Sequence, residues 1–249
     1  MTTYGLIGFP LVHSFSRAFF QEKFAQEKLD AQYVNFEITS ISEFPEIIRK
    51  NADLRGLNVT IPYKEQVIPY LDCLSEESRE IGAVNVIRIS HRDGHTLLKG
   101  FNADVIGFVS SIRPLLTTVV CKEALILGTG GASKAVDYGL RSLGFGTHFV
   151  SRNPKKGMLG YDNVTPEILQ QHAVIVNCTP CGMFPHTAEC PPLPYAALGR
   201  DNVLFDLIYN PEETEFLARG RAQGARVKNG LEMLHLQALA SWDFWNQKE

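Results

Sequence analysis

Two hydrophobic periods alternate along the chain and predict an ordered series of strands and helices. In the first hundred residues, short apolar or β-branched runs predict strands at 4–9, 33–38 and 57–61. Apolar residues recur at helical spacing over 15–28 and 41–50, and Ser42 is a candidate N-cap for the second of these helices. Strands at 85–90 and 97–102 flank Asp93-Gly94, a strong hairpin signal. The N-terminal region is therefore predicted to be α/β with an antiparallel pair near its end.

The rest of the chain has a more regular pattern. A helix is predicted over 103–113, where Pro114 limits it. Four apolar runs then predict strands at 124–127, 147–151, 173–177 and 203–207. Helical patterns lie at 133–143, 165–171 (Pro166 at its first position), 213–222 and 231–245. Alternating strands and helices of this kind predict a parallel, doubly wound sheet of the Rossmann type.

Composition narrows the class of protein. A chain of 249 residues can form one large domain or two modest ones. The net charge is −3 and there is no basic run, which argues against a nucleic-acid partner. No apolar run is long enough to span a bilayer, and the first residues lack the features of a signal peptide. We therefore expect a cytoplasmic protein without a membrane partner, whose five cysteines are reduced thiols.

A glycine-rich turn joins the 124–127 strand to the following helix. Glycines at such a turn allow a tight bend and a close approach of the backbone to a pyrophosphate at the helix N-terminus. The candidate pyrophosphate-binding residues are Gly128, Gly130, Gly131 and Ala132. The spacing departs from GxGxxG, and Ala132 or Ala135 takes the close-packing position of the third glycine.

The end of the next strand indicates which dinucleotide would bind. NAD-binding domains usually carry an acidic residue there, whereas this chain reads Ser151-Arg152-Asn153-Pro154-Lys155-Lys156. The planar guanidinium of Arg152 suits a 2′-phosphate, which favours NADP. The alternative is a solvated basic turn, and this alternative is stronger for Lys155 and Lys156 than for Arg152.

Several polar residues follow predicted strand ends. Lys64 comes shortly after the 57–61 strand and could exchange a proton with a substrate oxygen, or it could be a surface lysine that opens a helix. Ser14 and Ser16 lie at a strand-to-helix turn, where their hydroxyls suit a carboxylate, although one of them could simply be an N-cap. Asn85 and Asp104 also adjoin strand ends, and Asp104 could merely cap its helix.

Eight motifs together resemble one known family. They are GFPLVHSFS, GLNVTIPYK, GAVN, GFNADVIGF, GTGGAS, NCTPCGM, DLIYNPEET and GLEMLHLQA. In order and spacing they resemble the shikimate dehydrogenase family over nearly the whole chain. The resemblance implies reversible NADP-linked interconversion of 3-dehydroshikimate and shikimate, a step of aromatic amino-acid (chorismate) biosynthesis. It also implies a small-molecule substrate and a monomer or homodimer.

The resemblance implies two domains with a cleft between them. Residues 1–103 would bind substrate and carry the catalytic groups, residues 104–230 would bind NADP, and the C-terminal helix 231–249 would pack back on the first domain. Lys64 and Asp104 would form the catalytic pair, with the proton acceptor left unassigned between them. Substrate would contact Ser14, Ser16, Thr60, Asn85, Tyr209 and Gln237. Beyond the glycine turn, the cofactor would contact Ser151, Arg152, Asn153, Thr179, Met183 and Gly230.

Three positions depart from the family pattern. Arg17 stands where a proline is usual, which affects the helix entry but leaves both serine hydroxyls. Ala103 replaces a threonine beside Asp104, so substrate affinity could be lower, and Phe9 replaces a common asparagine. None of the three removes a group that the chemistry requires.

Other functions compete with this interpretation. Cys178 and Cys181 could be a redox pair, or could bind zinc with His186 and Cys190, but the following residues and spacing fit neither well, and we expect no metal. A quinate/shikimate dehydrogenase of broader specificity would typically prefer NAD, against which Arg152 argues. A non-catalytic NADP-binding regulator would need neither Lys64 nor Asp104. The sequence thus favours an NADP-dependent oxidoreductase.

Overall fold

The computed structural model describes residues 1–11, 15–92 and 94–247, so Ser14 and Asp93 lie outside the described residues. The chain forms two compact units. The N-terminal unit contains Met1–Ala103 together with the chain from Ala238, and the C-terminal unit is Asp104–Gln237. The sequence predicts that all of 231–249 belongs with the first domain, whereas the two compact units divide within this helix, between Gln237 and Ala238.

The N-terminal unit contains a six-stranded mixed sheet. Its strands are β1 (Thr2–Gly8), β2 (Ala31–Glu37), β3 (Leu54–Val59), β4 (Cys73–Leu74), β5 (Val86–Arg92) and β6 (His95–Phe101). The order is β2-β1-β3-β5-β6-β4. The pairs β1–β2, β1–β3 and β4–β6 are parallel, and β5 runs antiparallel to both β3 and β6. The helices of this part are α1 (Phe15–Gln26), α2 (Phe44–Lys50) and α3 (Glu76–Ile81).

Local hydrogen bonds explain where these elements differ from the sequence prediction. The antiparallel hairpin is confirmed, and Gly94 after β5 adopts a φ of +79°, as the predicted turn requires. Ser42 is not an N-cap: the helical region begins as a 3₁₀ turn, Ile41–Glu43, whose cap is Ser40. Glu43 Oε1 accepts from the Ser40 amide at 3.0 Å, which completes a capping box. β3 ends at Val59 rather than at Ile61.

Residues beyond Ala238 are part of the N-terminal core. Trp245 is 6% exposed and its indole Nε1 donates to the Ile87 carbonyl at 3.1 Å. A Cβ on Gly56 would lie 2.4 Å from the Trp245 ring, so β3 can accept the indole only because this strand residue has no side chain. Trp242 packs on Tyr4, with ring centroids 5.4 Å apart. Both tryptophans therefore anchor the end of the last helix to this core.

The C-terminal unit contains an all-parallel sheet. Its strands are β7 (Glu123–Leu127), β8 (Gly146–Ser151), β9 (Leu159–Gly160), β10 (Val174–Asn177), β11 (Val203–Asp206) and β12 (Arg226–Lys228), in the order β12-β11-β10-β7-β8-β9. Each neighbouring pair is parallel. The helices that begin in this unit are α4 (Asp104–Ile112), α5 (Gly131–Ser142), α6 (Pro166–Gln170), α7 (Glu215–Ala222) and α8 (Leu231–Asn246). The predicted Rossmann-type sheet is confirmed, with helix starts shifted by a few residues.

Both faces of this sheet are buried. Along β7, Ala124 and Ile126 belong to one apolar cluster, whereas Leu125 and Leu127 belong to another. This alternation explains why the strand reads as a continuous apolar run instead of alternating polar and apolar residues. The chain winds from β7 toward β8 in one direction and toward β10 in the other, so the strand order reverses between β7 and β10. In open parallel sheets, ligands bind at the carboxyl ends of the strands beside such a reversal.

No helix among the described residues has both the length and the apolar character needed to cross a bilayer.

Candidate functional site

The glycine turn lies at the carboxyl end of β7, next to the reversal of strand order. Gly128 has a φ of +100°, and its amide donates to the Val150 carbonyl at 2.9 Å. A Cβ at this position would lie 2.9 Å from Thr179 Cγ2 and 3.3 Å from the Cys178 carbonyl oxygen. Glycine is therefore required here for two reasons, the left-handed backbone and the close approach of the loop that follows β10.

The start of α5 is suited to an anion. Gly130 is the N-cap and supplies no side-chain bond to the first amides of the helix. A Cβ on Gly130 would meet no protein atom within 4 Å, so the space in front of these amides is open. The amide and the hydroxyl of Ser133 both donate to the Gly130 carbonyl, at 3.0 and 2.6 Å. Gly131 and Ala132, in the first turn, keep amides without intrahelical acceptors, as a pyrophosphate site requires.

The end of β8 carries the basic turn. Ser151 closes the strand, and its Oγ accepts from the Asn153 amide at 3.2 Å. Arg152 is exposed. Burial raises the pKa of the Tyr161 phenol to about 12, and the nearby positive charge of Arg152 acts in the opposite direction. No acidic residue occurs between Ser151 and Lys156. The turn therefore fits the phosphate of NADP better than the free ribose hydroxyls of NAD.

The loop after β10 is organised by a buried amide that sequence reasoning missed. Asn177 is fully buried, and its Oδ1 accepts from the amide of Thr179 at 3.1 Å and from its hydroxyl at 2.6 Å. The Asn177 Nδ2 donates to the Cys181 carbonyl at 3.3 Å. Thr179 Oγ1 accepts in turn from the Cys181 amide at 3.2 Å. These bonds hold Thr179 beside Gly128.

Asp206, at the end of β11, is the second residue that sequence reasoning missed. Its carboxylate is fully buried and accepts from Asn177 Nδ2 at 3.0 Å, from the Ile208 amide at 3.0 Å and from Thr214 Oγ1 at 2.6 Å. Burial raises the pKa of Asp206 from 3.8 to about 6, and the three hydrogen bonds oppose that rise. A polar residue at the end of an apolar strand was the available signal in the sequence. Asp206 thus connects the loop after β10 to the loop after β11.

The cysteines of the loop after β10 do not form the redox or zinc site considered above. Burial raises the pKa of both Cys178 and Cys181, whereas a redox thiol needs a lowered pKa. Among the described residues, one group of three His, Cys, Asp or Glu side chains brings its ligand atoms within 4.8 Å of one another, and it contains no cysteine. The set of Cys178, Cys181, His186 and Cys190 is not brought to metal-binding distance.

In the N-terminal unit, backbone bonds bring three predicted site residues into one region. After β3, the Thr60 amide donates to the Ile7 carbonyl at 2.9 Å, and a turn follows with Tyr63 N bonded to Thr60 O at 2.9 Å. The Lys64 carbonyl accepts from the Val84 amide at 2.8 Å. The Asn85 carbonyl accepts from the Val59 amide at 2.8 Å. Thr60, Lys64 and Asn85 are thereby held together, and no α-helix begins at Lys64.

Asn85 and Asp104 lie near the start of α4. Asn85 is buried, and its Oδ1 accepts from the Ala103 amide at 2.6 Å. Asn102, also buried, donates from Nδ2 to the Ala83 carbonyl at 3.0 Å. Asp104 is the first residue of α4 and is 6% exposed. The side chain of Asn85 is thus bonded to the residue that immediately precedes Asp104 in the chain.

A buried hydrogen-bond chain reaches Ser16. Asn58 Nδ2 donates to the Asn85 carbonyl at 3.3 Å and to Ser241 Oγ at 2.9 Å, so its Oδ1 can only accept. The Tyr33 hydroxyl donates to that oxygen at 2.8 Å. Because the Tyr33 proton is used in this way, the Ser16 hydroxyl, which is hydrogen-bonded to Tyr33, must donate to the Tyr33 oxygen. Sequence reasoning missed Tyr33, Asn58 and Ser241.

The remaining predicted residues lie in the C-terminal unit. Met183 and Tyr209 are 47% and 38% exposed, in the loops after β10 and β11. Gly230 precedes α8, and a Cβ there would lie 2.2 Å from the Leu207 carbonyl oxygen, which explains the glycine. Gln237 lies in α8, where its Nε2 donates to the Leu234 carbonyl at 3.0 Å. The C-terminal unit thus holds the whole predicted cofactor set, whereas Ser16, Thr60, Lys64 and Asn85 belong to the N-terminal unit.

The C-terminal unit has a parallel, doubly wound sheet. A glycine turn and an open helix start lie beside the reversal of strand order, and a basic turn follows β8. These features define a dinucleotide-binding protein of the α/β class, here with a separate α/β unit. Comparison with known proteins is more specific. Residues 6–87 match the family model for the shikimate dehydrogenase substrate binding domain. The shikimate dehydrogenase (NADP(+)) of Carboxydothermus hydrogenoformans is 36% identical over 257 residues, which cover 97% of this chain and 90% of that protein. The chain belongs to the shikimate dehydrogenase family.

Two solved structures bear on the cofactor and substrate. The crystal structure of shikimate 5-dehydrogenase from Thermus thermophilus in complex with NADP(H) and shikimate is 29% identical, with a TM-score of 0.84, and covers 99% of this chain and 94% of its own. Quinate dehydrogenase from Corynebacterium glutamicum in complex with NAD is 25% identical, with a TM-score of 0.85, and covers 98% and 93%. The fold is therefore shared by enzymes of both substrate types.

Proposed function

We propose that the chain catalyses the reversible NADP-dependent reduction of 3-dehydroshikimate to shikimate, with Lys64 and Asp104 assisting proton transfer. The observation that carries the proposal is the group of Thr60, Lys64 and Asn85, which backbone bonds hold together in the region matching the substrate-binding domain. A binding module has no need of a lysine at that point. The nucleotide-binding sheet supplies the second requirement of a dehydrogenase.

The reaction determines what the chain's own groups must do. NADPH, when bound, supplies the hydride that reaches the carbonyl carbon of the substrate. The carbonyl oxygen gains negative charge as the hydride arrives and takes up one proton, and the reverse reaction releases that proton. Lys64 can donate this proton or stabilise the developing charge, and Asp104 is the second acid-base group of the pair.

Thr60 and Asn85 are proposed to bind ring hydroxyls, since hydroxyl and amide side chains can both donate and accept hydrogen bonds. Ser16 is proposed to bind the substrate carboxylate, but its proton is committed to Tyr33 in this structure. Binding would therefore require the Ser16 hydroxyl to rotate from Tyr33 toward the carboxylate. Ser14, the other proposed contact, lies outside the described residues. Tyr209 and Gln237 complete the proposed substrate set.

The cofactor is proposed to lie along the carboxyl ends of β7, β8 and β10. Its pyrophosphate would face Gly128, Gly130, Gly131 and Ala132, where the amides at the start of α5 are open. Ser151, Arg152 and Asn153 would hold the adenosine ribose and its 2′-phosphate. Thr179, Met183 and Gly230 would lie near the nicotinamide. The geometry of the turn and the absence of an acid after β8 both support NADP.

The test is the absorbance of reduced nicotinamide with purified protein. Shikimate and quinate are each combined with NADP and with NAD. Turnover confined to shikimate with NADP would support the proposed substrate, the proposed cofactor and the role of Arg152 in binding the 2′-phosphate. Comparable turnover with quinate or NAD would favour the second candidate, a broader quinate/shikimate dehydrogenase, which the likeness to the C. glutamicum enzyme keeps open. Binding of NADP without turnover in every combination would contradict the proposal and favour a non-catalytic regulator.

Replacing Lys64 tests its catalytic role. We expect Lys64→Ala to lower kcat by roughly 10²–10⁴-fold with a smaller change in KM, because the lost group acts mainly on the transition state. Lys50→Ala is the matched control, since Lys50 is an exposed lysine of the same unit that pairs with Glu46 at 3.1 Å. A Lys64→Ala enzyme with kcat close to the wild-type value would exclude Lys64 as the proton-transfer group.

A further inference from the structure

Three side chains that could bind a metal meet at the amino ends of β7, β8 and β10, the end of the parallel sheet opposite the glycine turn. Glu123 is the first residue of β7, His148 lies in β8, and His172 immediately precedes the Ala173 that leads into β10. Glu123 pairs with Gly146 and Leu125 pairs with His148, so Glu123 and His148 are diagonal neighbours on one face of the sheet. His172 is only 5% exposed, although it lies just before the amino end of a strand.

The hydrogen bonds determine which nitrogen of His172 is available as a ligand. His172 Nδ1 lies 2.6 Å from the Ile168 carbonyl oxygen, which can only accept, so Nδ1 carries the proton. The neutral ring therefore directs the lone pair of Nε2 at His148 Nδ1, 3.1 Å away. A metal-binding histidine is commonly oriented in this way by a backbone carbonyl behind it.

A carboxylate oxygen of Glu123 lies close to the same two histidine nitrogens. Its Oε2 lies 3.6 Å from His148 Nδ1, and the ligand atoms of the three residues all lie within 4.8 Å of one another. A Cβ on Gly146 would lie 2.4 and 2.6 Å from the two carboxylate oxygens of Glu123. Gly146 is paired with Glu123 and has no side chain, so the Glu123 carboxylate can lie over Gly146 and approach His148.

We propose that Glu123, His148 and His172 bind a divalent transition-metal ion. Two imidazoles and a carboxylate suit Zn²⁺, with water as the fourth ligand. Zn²⁺ at 2.0–2.1 Å from each nitrogen places neighbouring tetrahedral ligand atoms about 3.3–3.4 Å apart. The separations of 3.1 and 3.6 Å lie on either side of that value. To bind the ion, His148 moves its proton from Nδ1 to the Nε2 nitrogen, so both rings bind as neutral imidazoles.

The role of this site is structural, because it lies at the amino end of β7, whereas the glycine turn lies beyond the carboxyl end. An ion there joins β7, β8 and the segment that enters β10 through three side chains. Zinc bound only by the folded protein raises its stability with ion concentration. The melting temperature should therefore rise with added Zn²⁺ and fall back when a chelator is added.

The test is titration of tag-free, full-length protein with Zn²⁺ alone, followed by calorimetry and by thermal melting. We expect one equivalent to bind to the wild type. His148→Gln and Glu123→Gln should weaken binding by roughly 100-fold or more, since each removes a ligand outright, and Gly146→Ala by about tenfold, since it displaces a carboxylate. The replaced side chains are half-exposed or absent, so these variants avoid the buried His172.

The control is His186→Gln, which removes an exposed histidine whose Nδ1 is 3.8 Å from Glu189 Oε1 and which adjoins the cysteine loop. It should bind Zn²⁺ as the wild type does. Cobalt substitution should give a tetrahedral spectrum without the charge-transfer band of a thiolate ligand. The proposal is overturned if the wild type binds no equivalent, if His148→Gln binds unchanged, or if only His186→Gln loses the ion.

Discussion

Asp206 makes the stability of the C-terminal unit depend on pH. The three donors to its carboxylate come from Asn177, Ile208 and Thr214, and burial raises its pKa from 3.8 to about 6. Asp206→Asn keeps an Oδ1 that can accept from Asn177 and Ile208. The new Nδ2 faces Thr214 Oγ1, which can accept from it. The substitution therefore removes the charge while leaving most of the network in place.

The sign of the effect follows from proton binding. Between pH 3.8 and about 6 the folded protein holds a proton on Asp206 that the unfolded chain has lost. The stability contribution of this group is complete below pH 3.8, is lost as the pH rises through about 6, and stays absent above it. The full loss is about 3 kcal/mol, from roughly 1.4 kcal/mol per pKa unit. Between pH 5 and pH 8 the loss is about 1.4 kcal/mol.

The assay is urea unfolding of wild type and Asp206→Asn at pH 5, 6, 7 and 8. The difference in free energy of unfolding between the two proteins should change by about 1.4 kcal/mol over this range, in favour of the variant at high pH. Asp201→Asn, at an exposed position, is the control and should show no such change. A difference between wild type and Asp206→Asn that is independent of pH would refute the assignment of a raised pKa to Asp206.

Three further substitutions test other parts of the structure. Arg152→Gln should raise the KM for NADP by roughly tenfold or more and leave that for NAD nearly unchanged, since it removes a charged phosphate contact; equal effects on both would contradict the 2′-phosphate site. Gly128→Ala should destabilise the protein by about 1–3 kcal/mol in thermal or urea unfolding, because of its φ of +100° and the contact with Thr179, whereas Gly130→Ala should be far milder. Tyr33→Phe should cost about 1–3 kcal/mol in the same measurement by leaving Asn58 Oδ1 without its donor; an unchanged stability would argue against the buried chain.

The parallel sheet could be predicted because burial on both faces leaves continuous apolar runs, and because Gly128 and Gly130 mark a tight turn from a strand into a helix. Element ends were less accurate. The region 41–50 begins as a 3₁₀ turn capped by Ser40 because the side chain of Glu43 reaches back to the Ser40 amide. Hydrophobic spacing cannot distinguish that start from an α-helix capped at Ser42.

The candidate site was predicted as a set of residue types, without its supporting network. The motif containing Thr60 and Lys64 also contains Asn58, but only the folded structure shows that Asn58 connects Tyr33 to Ser241. These partners are far apart in the chain, so no local pattern joins them. The partners of Asp206, and the group of Glu123, His148 and His172, are likewise too far apart in the chain to be predicted from a local pattern.

The contribution of the last helix to the N-terminal core has a consequence for synthesis. Trp245 occupies the space over Gly56, Phe244 stacks on Phe101 with centroids 4.4 Å apart, and Ser241 closes the hydrogen bonds of Asn58. Residues 1–103 are synthesised before α8 and therefore lack part of their own core until α8 has left the ribosome. The C-terminal unit is one continuous segment, Asp104–Gln237. During translation the unit made second can fold first, and the unit made first must wait with apolar strands exposed, which is when a chaperone would act.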